Sequence, residues 1–460
     1  MTTSAHTVLD LAEFEELTRT GEIDTVICAT PDPYGRLVGK RLTIEAFRNL
    51  GLSGDGINAS SFVFAVDLEM NPLNLPVSNA ENGWADIRLV PDLATLRRVP
   101  WESNAALVIC DVHEYDSDTL LAVAPRSILK HQIARSEQHD VAFKFASELE
   151  FFVAATSPAE AWQAEYRNLR MLSDYRSDYQ MTQSARDEWF IHQIRKQMPA
   201  FGVPVESSKP EWGLGQQEIT LDYCDTLAMA DRHALFKYGI KQLAHRSDLT
   251  VTFMAKPRID EVGSSCHLHV SLWSRDARTP LCWSDDNRGM SATFGSFVAG
   301  QLASAVDLGL LFAPTVNSYK RYQPDQFAGT AIAVGHDNRS CAFRLVGHGP
   351  SYRVENRIPG ADVNPYYAFS ATIAAGLHGM EAGLATPPVF AGNAWEHGGM
   401  ELMSTSFHQS IERFSGSKVA QHAFGDDVFE HLLASATAEL RSFDSGTVTD
   451  WETKRYYERV

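Results

Sequence analysis

The stretch Val141–Ala154 constrains this chain more than any other. Two apolar runs, Val141–Phe145 and Leu149–Ala154, bracket a polar centre, and Glu148 and Glu150 interrupt what otherwise reads as a buried strand. Side chains alternate between the faces of a strand, so both glutamates point the same way. Like charges side by side repel, so something positive is expected between them. An edge strand with a solvated acidic face would carry the same letters, and other motifs must choose between the readings.

Three further clusters bear on that choice. Glu211-Trp-Gly-Leu-Gly-Gln-Gln-Glu218 adds two carboxylates around a glycine-bearing turn, which a surface loop could also do. Gly263-Ser-Ser-Cys-His267-Leu-His269-Val-Ser271 puts His267, His269 and Ser271 on one strand face, opposite Leu268 and Val270. A lone strand histidine is usually a satisfied core residue. Two in alternation after a Gly-Ser-Ser turn read as ligands or phosphate contacts. The last cluster is basic: Lys320, Arg321, Arg339, Arg344, Arg353 and Arg357. Neighbours such as Tyr319, Phe343 and Val354 predict partial burial, and arginine forks suit phosphate and carboxylate. Together these clusters read as a carboxylate-rich metal site facing an arginine-rich anion site. Hard cations such as Mg²⁺ take oxygen ligands, and Mn²⁺ also tolerates imidazole. Metals plus arginines are what phosphoryl transfer requires.

With 460 residues, 44% of them hydrophobic, the chain can bury a large core and form two or three domains. Its net charge of −18 argues against a nucleic-acid partner, which would want a basic stripe. The six cysteines are scattered without a CxxC pair, so neither a zinc site nor a disulfide framework is expected. The N-terminus lacks a basic region followed by an apolar core, and no apolar run approaches a membrane span. A cytoplasmic location without membrane contact is the expectation. Residues 9–21 read as an amphipathic helix, and Asp24–Ala29 with Leu37–Leu42 as a hairpin around Pro31–Gly35. Ser60–Val66, Ile87–Val90 and Ala106–Cys110 are strand-like, closing a sheet-rich domain over residues 1–120. Residues 121–460 read as one large α+β domain. Helices are predicted over Arg126–Glu137, Ala185–Gln197, Leu227–Ala244 and Phe297–Gly309, and strands over Thr250–Met254 and Cys266–Leu272.

In order and spacing these motifs resemble the bacterial-type glutamine synthetase family over roughly residues 20–460. Asn317-Ser-Tyr-Lys-Arg, Asn338-Arg-Ser, Arg353-Val-Glu-Asn-Arg, Asn364-Pro-Tyr and Trp451-Glu-Thr-Lys-Arg-Tyr-Tyr-Glu extend the match. The resemblance implies a β-grasp N-terminal domain and a catalytic domain with a curved antiparallel sheet and flanking helices. It implies roughly two to three Mg²⁺ or Mn²⁺ ions per site. One is held by Glu150, Glu211 and Glu218, another by Glu148, His267 and Glu355. Glu206, His269, Ser271, Arg339, Arg344 and Arg353 would contact ATP. Gly263, Arg321 and Arg357 would bind glutamate or its transferred phosphate, with Arg321, Arg339 and Arg357 catalytic. Family members form stacked hexameric rings, so a dodecamer with active sites between neighbours is expected.

The chain departs from that family where ammonium would bind. Of the two carboxylates expected there, the N-terminal one reads as Asn58 and the flap glutamate as Phe327. Val262 replaces the asparagine that usually precedes Gly263, and no Asn-Leu-Tyr-Asp-Leu adenylylation segment is found. An aromatic wall suits a bulkier amine. The pattern resembles the γ-glutamyl amide ligases for ethanolamine, isopropylamine or aniline. A polyamine dication would favour retained carboxylates and ranks lower. The competing readings are a glutamine synthetase using ammonia and a non-catalytic scaffold. The scaffold has no physical reason to keep so many adjacent carboxylates.

Overall fold

The computed structural model describes residues 8–286, 288–323 and 327–459. Residues 1–7 of the stretch read for a leader, and residues 324–326 between Arg321 and Phe327, lie outside that range. The first sheet contains β1 (Thr25–Pro31), β2 (Leu37–Thr43), β3 (Ile57–Ser60), β4 (Asp86–Pro91), β5 (Arg97–Arg98) and β6 (Ala105–Glu114). Its order is β2-β1-β6-β4-β3, with β5 beside β6 and β1 parallel to β6. Strand β1 is buried at every position after Thr25 because both faces are covered. Val26 and Cys28 pack with Phe14 of the helix Leu11–Arg19, as a β-grasp implies. Ile27 and Ala29 join the core of the rest of the chain.

The second sheet contains β7 (Val141–Ala154), β8 (Val205–Pro210), β9 (Gln216–Leu221), β10 (Cys224–Asp225), β11 (Thr250–Thr252) and β12 (Cys266–Ser274). The short pair β13 (Trp283–Ser284) and β14 (Gly289–Met290) lies apart, and β15 (Ala331–His336), β16 (Cys341–Val346) and β17 (Arg353–Asn356) complete the sheet. The order β15-β16-β17-β12-β7-β9-β8 is antiparallel except at its edge, where β15 and β16 are parallel. Strand β7 is bonded on both sides, to β12 and β9, which removes the edge-strand reading. Its odd positions Phe143, Phe145, Leu149, Phe151 and Val153 are buried in the core. Phe145 stacks on Phe369 at 4.4 Å, and Phe143 and Phe151 meet Phe297 and Phe236. Those partners lie on the helices Pro365–Glu381, Ala292–Ser304 and Thr226–Arg246. The even positions are left for the opposite face.

The α+β expectation holds, with local corrections. Ser60–Val66 is not a strand: the Ser60 side chain accepts from the Phe62 amide and starts a 3₁₀ turn over Ser61–Phe64. The apolar helix runs over Ala292–Ser304 rather than Phe297–Gly309, because Ser291 caps its start by accepting from the Phe294 amide. Strand β11 ends at Thr252, where the Thr252 hydroxyl takes the Met254 amide.

One buried ion cluster ties the first sheet to the helices. Arg126 donates to Asp92 at 2.7 Å and to Asp231 at 3.0 and 3.2 Å, and it also pairs with Asp111. Asp231 accepts from the Tyr366 hydroxyl at 2.7 Å, and Lys130 pairs with Asp111.

Candidate active site

Register alone assembles the site. Directly opposed residues of antiparallel strands share a face. Glu150 lies opposite Glu218, Glu148 opposite His267, and His269 opposite Glu355. Four strands thus bring three pairs onto one face of the sheet. Their potential ligand atoms gather in two tight groups, Glu148 with His267 and Glu355, and Glu150 with Glu218 and His267. His267 belongs to both. Glu211 belongs to neither: it is paired with Lys209, which also reaches Asp178 at 3.0 Å.

Hydrogen bonds orient these groups. Glu148 bridges His267 Nδ1 at 3.0 Å and His269 Nε2 at 3.3 Å. Glu150 accepts from the Ser265 amide at 2.7 Å and from Gln216 at 3.2 Å. Glu355 is gripped by Arg344 at 2.7 Å and Arg357 at 2.5 Å. Arg353 Nε faces His269 Nδ1 at 3.3 Å. The ring nitrogen His267 Nε2 and the guanidinium Nε of Arg357 are buried with no hydrogen-bond partner.

Charge divides the cluster in two. Burial pushes the Glu148 carboxyl up, but hydrogen bonds from His267 and His269 hold it well below the usual range. Glu355 is likewise buried, and the charges of His267 and Arg357 bring it down to about 2. Burial and the charge of Glu211 push Glu150 up to about 8, against only partial relief from the Ser265 amide and the charge of Arg321. Burial and the charges of Glu148 and Glu150 push Glu218 up to about 11. Two strained carboxyls beside an unpartnered imidazole nitrogen fit a divalent cation.

Raised values mean that the folded protein holds these protons more tightly than the unfolded chain. Their contribution to stability is full below the ordinary glutamate range and is lost as pH rises through about 8 for Glu150 and about 11 for Glu218. Glu148 and Glu355 act oppositely, and only in more acid solution. The melting temperature of cation-free protein should therefore fall between about pH 5 and about pH 9, and the increment from added Mg²⁺ should grow over that interval. An equal increment at both ends would argue against this cluster as the cation site.

The other residues singled out in the sequence fall in different places. Arg321 is buried and donates to Ile358 O at 2.8 Å, Arg357 O at 3.0 Å and Ser265 Oγ at 3.0 Å. Gly263 packs on its stem: a Cβ there would meet Arg321 at 2.6 Å and the Ala255 carbonyl at 2.7 Å. Ser271 accepts from Trp273 Nε1 at 2.9 Å. Partial burial holds for Arg344 and Arg353, and Arg357 is buried outright, but Lys320 and Arg339 are exposed, the latter 4.0 Å from Asp337. Glu206 is exposed on β8. Asn58 is exposed on β3 of the other sheet, and its carbonyl accepts from Lys40 at 2.6 Å. Phe327 is 58% exposed, and its carbonyl accepts from Arg357 at 3.4 Å.

Phe327 lines a basin of about 840 Å³ together with Arg339, Phe390 and Trp395. Trp395, which lines this basin, was not singled out in the sequence, since it sits in an irregular Gly- and Asn-bearing segment with no periodicity. A larger cleft of about 930 Å³ lies between the turn at Pro33–Leu37 and the helix Lys418–Gly446, and its walls contain none of the clustered glutamates.

The description "glutamine synthetase, catalytic domain" matches residues 122–456. Over 98% of its length the chain is 41% identical to the γ-glutamylethanolamide synthetase GlnA4 of Streptomyces coelicolor, covering 96% of that protein. It is 33% identical to the glutamate–isopropylamine ligase of a Pseudomonas species, across 95% of this chain and 96% of the other. A solved GmaS/ADP complex shares the fold with a TM-score of 0.84 at 26% identity, over 97% of this chain and 99% of that one.

Proposed function

The chain belongs to the glutamine synthetase family and is a glutamate–amine ligase; on that premise we propose that its amine is not ammonia but ethanolamine or another small alkyl or aryl monoamine. The observation that carries this reading is Phe327. An aromatic ring stands where ammonium users of the family place a carboxylate, and its carbonyl is tied to Arg357 beside the acidic cluster.

Family enzymes use ATP and a divalent metal. In our reading Glu148, His267 and Glu355 hold one ion and Glu150 and Glu218 another, with Glu211 joining once it is released from Lys209. Divalent cations there would neutralise phosphate charge. The γ-carboxylate of L-glutamate attacks the γ-phosphorus of ATP, and ADP leaves. The amine nitrogen then attacks the acyl carbon of γ-glutamyl phosphate, phosphate leaves, and the nitrogen gives up its proton. Arg357, with a free buried Nε, and Arg339, exposed at the basin, stabilise the charge that develops. His269, Ser271, Arg344, Arg353 and Glu206 are assigned to the nucleotide. Arg321, whose donors go to protein oxygens, positions Arg357 and Ser265. We assign residues 1–120 to the β-grasp domain and 121–460 to the catalytic domain. In a hexameric ring the neighbour's Asn58 strand would complete each site, so a fully active monomer in sedimentation would overturn that assembly.

The reading is tested by ATP- and glutamate-dependent phosphate release with ammonia and a panel of amines. An alkylamine has a pKa of roughly 10, so about one part in a thousand is neutral at pH 7. Without a carboxylate base, turnover should rise with pH for alkylamines and stay flatter for aniline. Phe327→Glu, alone or with Asn58→Asp, should raise ammonia use and lower use of the bulky amine. Wild-type turnover of ammonia as efficient as that of every amine would make glutamine synthesis the function.

A further inference from the structure

We infer that Trp395 is a specificity-determining residue, and that its ring and that of Phe327 form an aromatic corner that receives the charged head of a small alkylammonium substrate. The inference rests on the amine-ligase reading above and adds a second wall to it.

The two rings meet edge to face, with centroids 5.5 Å apart and planes at 77°. Such a pair is favourable in itself and turns two ring faces toward a common angle. Phe327 adopts φ +54°, a left-handed conformation that a bulky residue rarely takes without surrounding constraint. One constraint is the bond from Arg357 to its carbonyl. That arginine also grips Glu355, so the corner is one residue removed from the acidic cluster.

Trp395 is fixed although its segment has no regular structure. Asn338 Nδ2 donates to Gly392 O at 2.9 Å, the Ala394 amide to Ser340 Oγ at 2.9 Å, and the Phe390 amide to Val334 O at 2.7 Å. The Asn338-Arg339-Ser340 motif therefore uses its two outer side chains to moor the loop that presents Trp395. Ala394 is buried beneath it with Ala331 and Cys341. The bland reading, that Trp395 merely caps this small apolar cluster, does not account for its edge-on contact with an exposed phenylalanine in the wall of a basin.

The acid in the basin wall is already engaged, which leaves the rings as the element for a cation, set against the like charge of the exposed Arg339. Among the described residues lining the basin, the acidic one is Asp337, and it is already held by Arg344 and lies 4.0 Å from Arg339. By the family resemblance, the two carboxylates of an ammonium site would stand at the positions of Asn58 and Phe327. An aromatic face attracts an ammonium through its quadrupole, tryptophan best of all, and contacts the attached methylenes at the same time. Ammonium has no methylenes and is strongly hydrated, so it gains least from such a corner.

The test uses full-length Trp395→Phe and Trp395→Leu proteins beside wild type. Two constants are read at saturating glutamate and ATP. One is KM for the best alkylamine, and the other is competitive inhibition by tetramethylammonium, which cannot react. Trp395→Leu should weaken both by roughly 5- to 30-fold, whereas Trp395→Phe, which keeps a π face, should stay within roughly 3-fold. KM for glutamate and for ATP should not move, and KM for neutral aniline should not distinguish Leu from Phe. If both constants are unchanged in Trp395→Leu while wild type uses the alkylamine, the corner is wrong and the amine-ligase reading stands. If glutamate and ATP constants rise as much as the amine's, Trp395 is structural and the inference is overturned. If wild type uses ammonia alone, both readings fall together.

Discussion

Replacing Glu218 with glutamine is expected to reduce amine-dependent phosphate release by roughly 10²- to 10³-fold or more while leaving the cation-free protein at least as stable as wild type. Glu218 faces Glu150 across β7 and β9, and burial with two neighbouring negative charges pushes its carboxyl up to about 11. At neutral pH and without a cation it is therefore a neutral acid, which glutamine imitates in shape and charge. What glutamine cannot do is give up the proton to hold a divalent ion. The variant should lose the Mg²⁺-dependent rise in melting temperature along with its activity. Near-normal turnover, or a retained Mg²⁺ response, would remove Glu218 from the metal assignment.

Arg126→Met should destabilise the fold by about 3–5 kcal/mol, read as a lower urea midpoint. Methionine matches much of the side-chain volume, so the loss isolates the charge. Arg126 is almost fully buried, and Asp92, Asp111 and Asp231 all direct carboxylate oxygens at it. Removing it leaves these acids to face one another, with Lys130 beside Asp111 alone. Burial raises the Asp111 carboxyl, but Arg126 and Lys130 bring it below the ordinary range. In wild type that stability is present above the usual aspartate pKa and is lost as pH falls through the lowered one. The variant should lose this acid dependence at Asp111. A midpoint shift under about 1 kcal/mol would mean that the cluster contributes little beyond its packing.

The parts legible in the sequence were those with a strict period. Glu148, Glu150, His267 and His269 could be placed on a shared face because strands alternate by two, and β7 pairs in unbroken register with β12 and with β9. The α+β class followed from the same signal. The helix Pro365–Glu381 gave none: it is buried on nearly every side, so no polar face marks its turns. The strands β16 and β17 were read as a run of arginines because their charged residues face the site while Phe343 and Val354 fill the core behind. The pairing of Glu211 with Lys209 and the approach of Trp395 to Phe327 depend on long-range geometry that local letters do not encode.

The alternation in β7 has a consequence for how such a chain can change over time. Substituting a residue on one face of this strand leaves the other face as it was. Inserting or deleting a single residue near its middle does not, because every side chain beyond that point turns over. Leu149, Phe151 and Val153 would then be presented to the acidic face, and the two glutamates would be driven among Phe236, Phe253 and Phe369. The chemistry of this strand can thus drift one letter at a time, while its length is locked by the oil on its far side.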